Sequence, residues 1–413
     1  MRDADVVIVG AGAAGLSLAR MLCAAEGGAP TSRALSVVLV DAPRGPLRPP
    51  ERTWCFWEPP GGPYDAHLAA SWERLRVRGP DGAQTVGRPR PYRYKMLRAR
   101  DFEALVGGEL AASRRCRRVE AVVDSVHDHA DGAVVRGRDA AGQELALRAR
   151  WVFDSRPPRR LPPARTTLLQ HFRGWFVRTD RPAFDPTVAD LMDFRTPQPA
   201  QGLSFGYVLP LSADRALIEY TEFSREVLDT DGYERALRGY TRDVLRLGEP
   251  DGPRGAGGFR VTAVEQGVIP MTDGRFERRA GRSVFRIGTA GGATRASTGY
   301  TFAAVQRQTR AVAEALAAGR TPLPPSPHSR RSQAMDAVML RVLDSGRVDG
   351  ARFFTSLFAG VPMERLLRFL DGGCGLREDV SIGLRTPVAP MVRTVAELPF
   401  LRRRSPPPPG GPW

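Results

Sequence analysis

The sequence predicts an α/β fold: a dinucleotide-binding βαβ unit, an inserted β-sheet domain, and helices toward the C-terminal end. Three observations carry this reading. A strand, a glycine turn, a helix, a second strand and an acid follow one another before residue 42. The middle of the chain is rich in β-branched and aromatic runs. A second glycine turn then opens another helix near the far end, and helical spacing continues beyond it.

Taken in order, residues 5–9 (DVVIV) form a short β-branched apolar run that reads as a buried strand. Gly10, Gly12 and Gly15 follow at once, ahead of a small-residue helix carrying Leu16, Leu18, Met21 and Leu22. Glycines at this spacing let the backbone bend, let a pyrophosphate approach, and let helix pack on strand, while the helix N-terminus offers amide donors to phosphate. The next run, LSVVLV at 35–40, ends in Asp41, which is placed to accept from a ribose hydroxyl. Pro-rich breaks at 43–50, 156–163 and 322–327 mark joints. Between about 165 and 265, LLQHFRGWFVRT, FGYVLPL and RALIEYTEF read as strands. SVFRIGTAGGA then enters the second turn (Gly288, Gly291, Gly292), and Phe302, Val305, Thr309, Val312 and Leu316 form one buried helix stripe before Gly319. Two glycine turns at opposite ends of a chain are typical of flavoproteins and point to FAD. No second complete G-x-G-x-x-G is present for a nicotinamide domain. The expected division is a dinucleotide-binding domain from 1–50, 92–155 and 265–320, a substrate domain from 51–91 and 156–264, a helical region at 332–400, and a disordered tail at 404–413.

Composition narrows the class. A hydrophobic content of 42% with 26% charged residues is globular, and the longest apolar run, Val6 to Ala19, falls short of the roughly 18 residues that a spanning helix needs. Four cysteines without C-x-x-C spacing suggest a reducing compartment, the cytoplasm, and no zinc site. The net charge is +16, and Lys95 is the only lysine. Such an excess favours phosphates or anionic lipid surfaces; nucleic acid is not expected, because no basic-aromatic motif accompanies the charge. GLSFG at 202–206 matches a hydrolase elbow around Ser204, but a loop precedes it and a strand follows, the wrong context. His127 and His129 beside Asp128 read as a solvated strand end rather than a metal site.

Five stretches together resemble the lycopene cyclase family, specifically the bacterial β-cyclases: VVIVGAGAAGLSLA, RTWCFWE at 52–58, YRYKMLRARDFEALV at 92–106, GYVLPLSADRALIEYTEFS at 206–224 and RIGTAGGATRASTGYTFAAVQRQ at 286–308. The resemblance implies a Rossmann-like FAD domain of the p-hydroxybenzoate-hydroxylase type. It also implies cyclisation of the ψ-ends of lycopene to β-ionone rings, giving γ- and β-carotene, with bound reduced FAD, NAD(P)H as electron source and no net redox change. The chain departs from the family pattern in places. Where similar cyclases often show two adjacent acids before Thr, it reads Glu219, Tyr220, Thr221, so only the first acid carries over; Glu222 offers a second charge. Trp57 stands where bacterial members commonly have His, and Ala296 where a Pro is usual.

The chemistry gives Glu219 its role. Protonating an isolated alkene needs a carboxylic acid kept neutral by burial, then a site that shields a carbocation from water. Glu219 follows Ala216, Leu217 and Ile218, apolar on both strand faces, and is the expected acid; the bland reading is an outward-facing residue paired with an arginine. Trp54, Phe56, Trp57 and Tyr300 are candidates for cation-π stabilisation or for ordinary core. Residues 353–370, aromatic and flanked by arginine, suit either a membrane interface or a lid. Peripheral membrane attachment is therefore expected. The alternatives are a flavin-dependent monooxygenase acting on an apolar substrate and a non-catalytic carotenoid or lipid binding protein.

Overall fold

The computed structural model describes residues 2–23, 35–43, 45, 47–48, 50–250 and 258–406. Its first sheet grows from the N-terminal run. Strand β1 (Ala4–Val9) lies between β2 (Val37–Asp41) and β10 (Glu144–Asp154), with β8 (Cys116–His129) outside β2 and β16 (Val284–Arg286) outside β10, all parallel. Both faces of β1 and β2 are covered, which is why they read as unbroken Val, Ile and Leu rather than as an alternation. Helices α1 (Ala13–Cys23), α2 (Ala99–Ala111) and α4 (Phe302–Ala317) share a core with Val6, Ile8, Leu39, Phe153 and Phe285. Strand β9 (Gly132–Asp139) runs antiparallel between the far ends of β8 and β10, and this meander packs with Val7, Val9, Val38 and Val40 from the other side.

The second sheet has seven strands in the order β15 (Phe259–Thr272), β11 (Thr167–Thr179), β14 (Arg215–Ser224), β13 (Leu203–Pro210), β12 (Val188–Asp193), β5 (Arg74–Arg78) and β6 (Gln84–Gly87). All pairings are antiparallel except β5 with β12. One face carries α3 (Thr230–Gly239), which buries Tyr233 and Leu237. This helix lies inside the stretch expected to be strands. Its apolar residues are few and i, i+4 spaced among charged neighbours, a weak pattern, and the start is fixed by Asp229, whose side chain accepts from Gly232 N at 2.7 Å. The opposite face shares the largest core with α5 (Arg330–Asp344), α6 (Gly350–Gly360) and α7 (Met363–Leu370).

A small third sheet, β3 (Thr53–Glu58), β7 (Arg93–Arg98) and β4 (Ala70–Trp72), joins the two large ones. Period-two alternation divides its aromatics: Trp54 and Phe56 enter the core of the first sheet, Trp57 and Tyr94 that of the second.

The C-terminal helices correct one expectation. Phe353, Phe354, Leu357, Phe358, Leu366 and Leu367 are buried against the seven-stranded sheet and cannot form a membrane face. The exposed apolar side chains lie further on, in α8 (Leu376–Gly383), α9 (Val388–Glu397) and at Phe400. Of the tail, Arg404 bridges Ala164, and residues 407–413 lie outside the described residues. Among the described residues no helix is long and apolar enough to cross a membrane.

Candidate active site

The first glycine turn joins β1 to α1. Gly10 sits at φ +94°, and a Cβ on Gly15 would lie 1.8 Å from the Gly10 carbonyl oxygen, so only glycine lets the helix close on the turn. A Cβ on Gly12, in contrast, would meet nothing within 4 Å, and the first helical turn holds no acidic residue. The space in front of this helix N-terminus is thus open and electropositive, as an anionic diphosphate requires. The second turn comes to the same place. Gly288, at φ +65°, lies so close to α1 that its Cβ would stand 2.7 Å from that of Ala14. Gly291 and Gly292 close the turn, with Gly292 N donating to Thr289 O at 3.0 Å. Asp41 ends β2, where its carboxylate accepts from Arg118 Nη2 at 2.7 Å and from Arg48.

The second constellation is built across three strands. Glu219 of β14 and Glu265 of β15 both lie directly opposite Gly174 of the intervening β11, so all three share one face. Both carboxyls are buried and hydrogen bond to each other over the glycine. Thr53 Oγ1 donates to Glu265 Oε2 at 2.7 Å. Burial, followed by the neighbouring Glu265, holds the Glu219 carboxyl well above the usual carboxylate range. Burial raises Glu265 too, against the opposing pull of the Glu219 and Thr53 hydrogen bonds and the Arg98 charge.

Around Glu219 stand Tyr207, its partner on β13, and Cys55, Tyr94 and Tyr300. Tyr94 and Tyr300 share a hydroxyl hydrogen bond of 2.7 Å, and Tyr94 also bonds Tyr207. Trp57 meets the Tyr300 ring edge-on, with centroids 4.6 Å apart. Burial pushes the Cys55 thiol up to about 12 and holds the Tyr94 and Tyr207 hydroxyls well above their ordinary range, so this wall is uncharged. The site is an acid held neutral inside an aromatic, water-poor enclosure.

Comparison with known proteins decides the family: residues 5–396 match the lycopene cyclase protein family. The chain belongs to the lycopene cyclase family. A comparison with curated proteins gives no match. Solved structures share the fold of this cyclase-family chain at low identity. A geranylgeranyl bacteriochlorophyll reductase-like protein from Thermoplasma acidophilum is 11% identical, with 96% of this chain and 99% of that one covered and a TM-score of 0.59. The p-nitrophenol 4-monooxygenase of Pseudomonas putida DLL-E4 gives 16%, 97%, 98% and 0.56, and aklavinone-11 hydroxylase, solved with FAD and aklavinone, gives 18%, 77%, 63% and 0.52. The architecture is therefore the expected Rossmann-like flavoprotein fold.

Within this family member the structure separates residues that the sequence grouped. Glu222 is on β14, three positions from Glu219, and alternation turns it to the opposite face. There it accepts from Tyr220 Oη at 2.7 Å and lies 3.6 Å from His171 Nε2. Burial lowers His171 to about 4, so at neutral pH that contact is no ion pair. Trp54 stacks on Phe302 and Phe56 tilts against the same ring, both as core, which leaves Tyr300 beside the acid with Trp57 packed against its ring. Ser204 is buried near the start of strand β13 and bonds Thr196 and Pro197 O. Asp128 accepts from the backbone amides of Arg282 and Ser283, and among the described residues no cluster could hold a metal. Sequence reasoning missed Glu265. Its signal was a lone acid in the apolar run VEQGVIPM, meaningful only once β15 is set in register with β11.

Proposed function

We propose that the chain is a flavin-dependent lycopene β-cyclase in which Glu219 starts ring closure by protonating the terminal alkene of a ψ-end. The observation that carries this reading is the buried Glu219 carboxyl, kept neutral among uncharged aromatic neighbours. An alkene is a poor base, so the proton must come from an acid that stays protonated at physiological pH and is released where water is excluded. Trp57 and Tyr300 offer ring faces and edges to the enclosure, suited to shielding a tertiary cation. Ring closure then joins the cation to the next double bond, and loss of a ring proton restores an alkene. Hydrogens move within one molecule, so no oxidant is consumed.

The residues present fit FAD. The open space at Gly12, the α1 N-terminus and the converging Gly288 turn suit its pyrophosphate, and Asp41 suits a ribose hydroxyl in exchange for an arginine. When bound and reduced, by an NAD(P)H-derived donor, the flavin supplies an electron-rich surface beside the cation. Because the chain leaves room for a side chain at Gly12, Gly12→Val should fold yet purify without flavin. Normal flavin content in that variant would refute the cradle.

The reading includes attachment to a membrane surface on the cytoplasmic side, since a carotenoid dissolves in lipid. Its support is the exposed stripe of Leu376 and Val380 of α8, Leu384 just after it, and Val388, Val392 and Val395 of α9, interleaved with exposed Arg377, Arg385 and Arg393. The deciding experiment for the activity is pigment analysis of a lycopene-accumulating host expressing the chain, joined to an anaerobic count of donor oxidised per ring formed. Cyclic carotenoid with far less than one donor per ring is expected. One donor per turnover would favour an oxidoreductase, and unchanged lycopene would leave a binding protein.

A further inference from the structure

We infer that Glu219 and Glu265 act as a single acid, a carboxyl pair sharing one proton across Gly174, in which Glu265 is a positioning residue that keeps the transferable proton on Glu219. The inference rests on the cyclase reading and adds to it the residue that loads and orients the acid.

The geometry requires a gap between the strands. Neighbouring strands lie about 4.8 Å apart, so Glu219 and Glu265, one strand to either side of Gly174, can meet only over a position without a side chain. A Cβ at 174 would stand 2.7 Å from Glu219 Cγ and 3.4 Å from its Oε1. The carboxyls fill that gap and hydrogen bond there, which requires a proton between them, since two buried carboxylates in contact would repel.

The surroundings decide which carboxyl holds the proton. On the Glu265 side Thr53 donates a hydrogen bond, and the guanidinium groups of Arg98 and Arg52 favour a carboxylate; Glu51 opposes them from further out. On the Glu219 side the titratable neighbours are Cys55, Tyr94, Tyr207 and Tyr300, all uncharged. Glu219 is therefore the donor and Glu265 the acceptor. Reaction follows without further reagents. The alkene π pair forms the new C–H bond, the O–H pair stays on Glu219, and the carboxyl pair passes from one negative charge to two as the substrate becomes a cation. A second π pair closes the ring, and the proton that the ring gives up restores the pair. The fixed charge on Glu265 thus faces the cation at the moment it forms.

The test uses flavin-loaded protein and lycopene in phosphatidylcholine vesicles, with ring formation followed against pH, beside infrared titration of the buried carboxylic acid in the same protein without substrate. Wild type should lose activity on the alkaline side as the pair gives up its last proton. Glu265→Gln removes the like charge, so its alkaline limb and its infrared band should both titrate lower, by about one pH unit or more. Glu265→Asp keeps the charge and should restore the wild-type limb; Glu219→Gln should abolish the band. A Glu265→Gln band that titrates as in wild type would overturn the pair whether or not rings form. Absence of rings with wild type, while the bands behave as expected, would instead refute the cyclase reading. Should Glu265→Gln fail to fold, Gly174→Ala keeps both carboxyls but wedges them apart, and its band should also titrate lower; an unmoved band there equally refutes the pair.

Discussion

The two faces of β14 hold acids only three residues apart, yet they differ in kind. On one face Glu219 meets a second carboxyl and a wall of neutral hydroxyl and thiol groups in the join between the sheets. On the other, Glu222 lies under α3 in a closed polar cluster: Tyr220 donates to it, and His171 is tied to Tyr233 and Ser224 at 2.7 Å each. Burial raises both glutamates, so burial alone does not mark the reactive one. What distinguishes them is the partner. Glu222 has neighbours that satisfy it, whereas Glu219 has a neighbour whose charge keeps its proton in place.

The largest expected effect tests this contrast directly. Glu219→Gln keeps the size and one acceptor of the side chain but has no proton to transfer, so ring formation per flavin-loaded protein should fall at least about 100-fold. Near-normal rates would remove Glu219 from the mechanism. The second effect is on stability and belongs to the opposite face. His171 is held at about 4, below its ordinary 6.5, because burial disfavours its charged form. The unfolded chain then binds a proton more readily, so this contribution to stability is complete above pH 6.5 and is lost as pH falls toward 4, by at most roughly 3 kcal/mol. His171→Gln should flatten the fall of Tm across that window. An unchanged slope would place the acid sensitivity elsewhere.

The sequence carried much of this arrangement, unevenly. Strand β1, the glycine turn, α1 and Asp41 are contiguous, and local chemistry alone dictates them. Glu219 was legible as an acid in an apolar strand. Glu265 was not, because its meaning arises from a register between β15 and β11 that places it across Gly174, and glycine in a strand reads only as a weak point. The choice at 353–370 between a membrane face and a lid was illegible for a different reason. Aromatic helices flanked by arginine at 353–370 look the same in sequence whether they cover a sheet or face lipid, and only the packing against β5, β6 and β13 decides.

The smallest effect is expected at Glu222. Gln at this position can still accept from Tyr220 through its amide oxygen, and the acid site on the far face shares no partner with it. Sites without shared partners couple by a few tenths of a kcal/mol, so Glu222→Gln should form rings within about two-fold of wild type. Its stability should respond to pH in a direction opposite to that of His171. Burial raises the folded carboxyl above its ordinary 4.5, so Glu222 contributes most below that pH, and its contribution is lost as pH rises through the folded value. Gln stays neutral throughout, hence the variant should gain on wild type in Tm as pH climbs. A large loss of ring formation with flavin content intact would mean that the two faces of β14 communicate, and the distinction drawn between its two glutamates would fail.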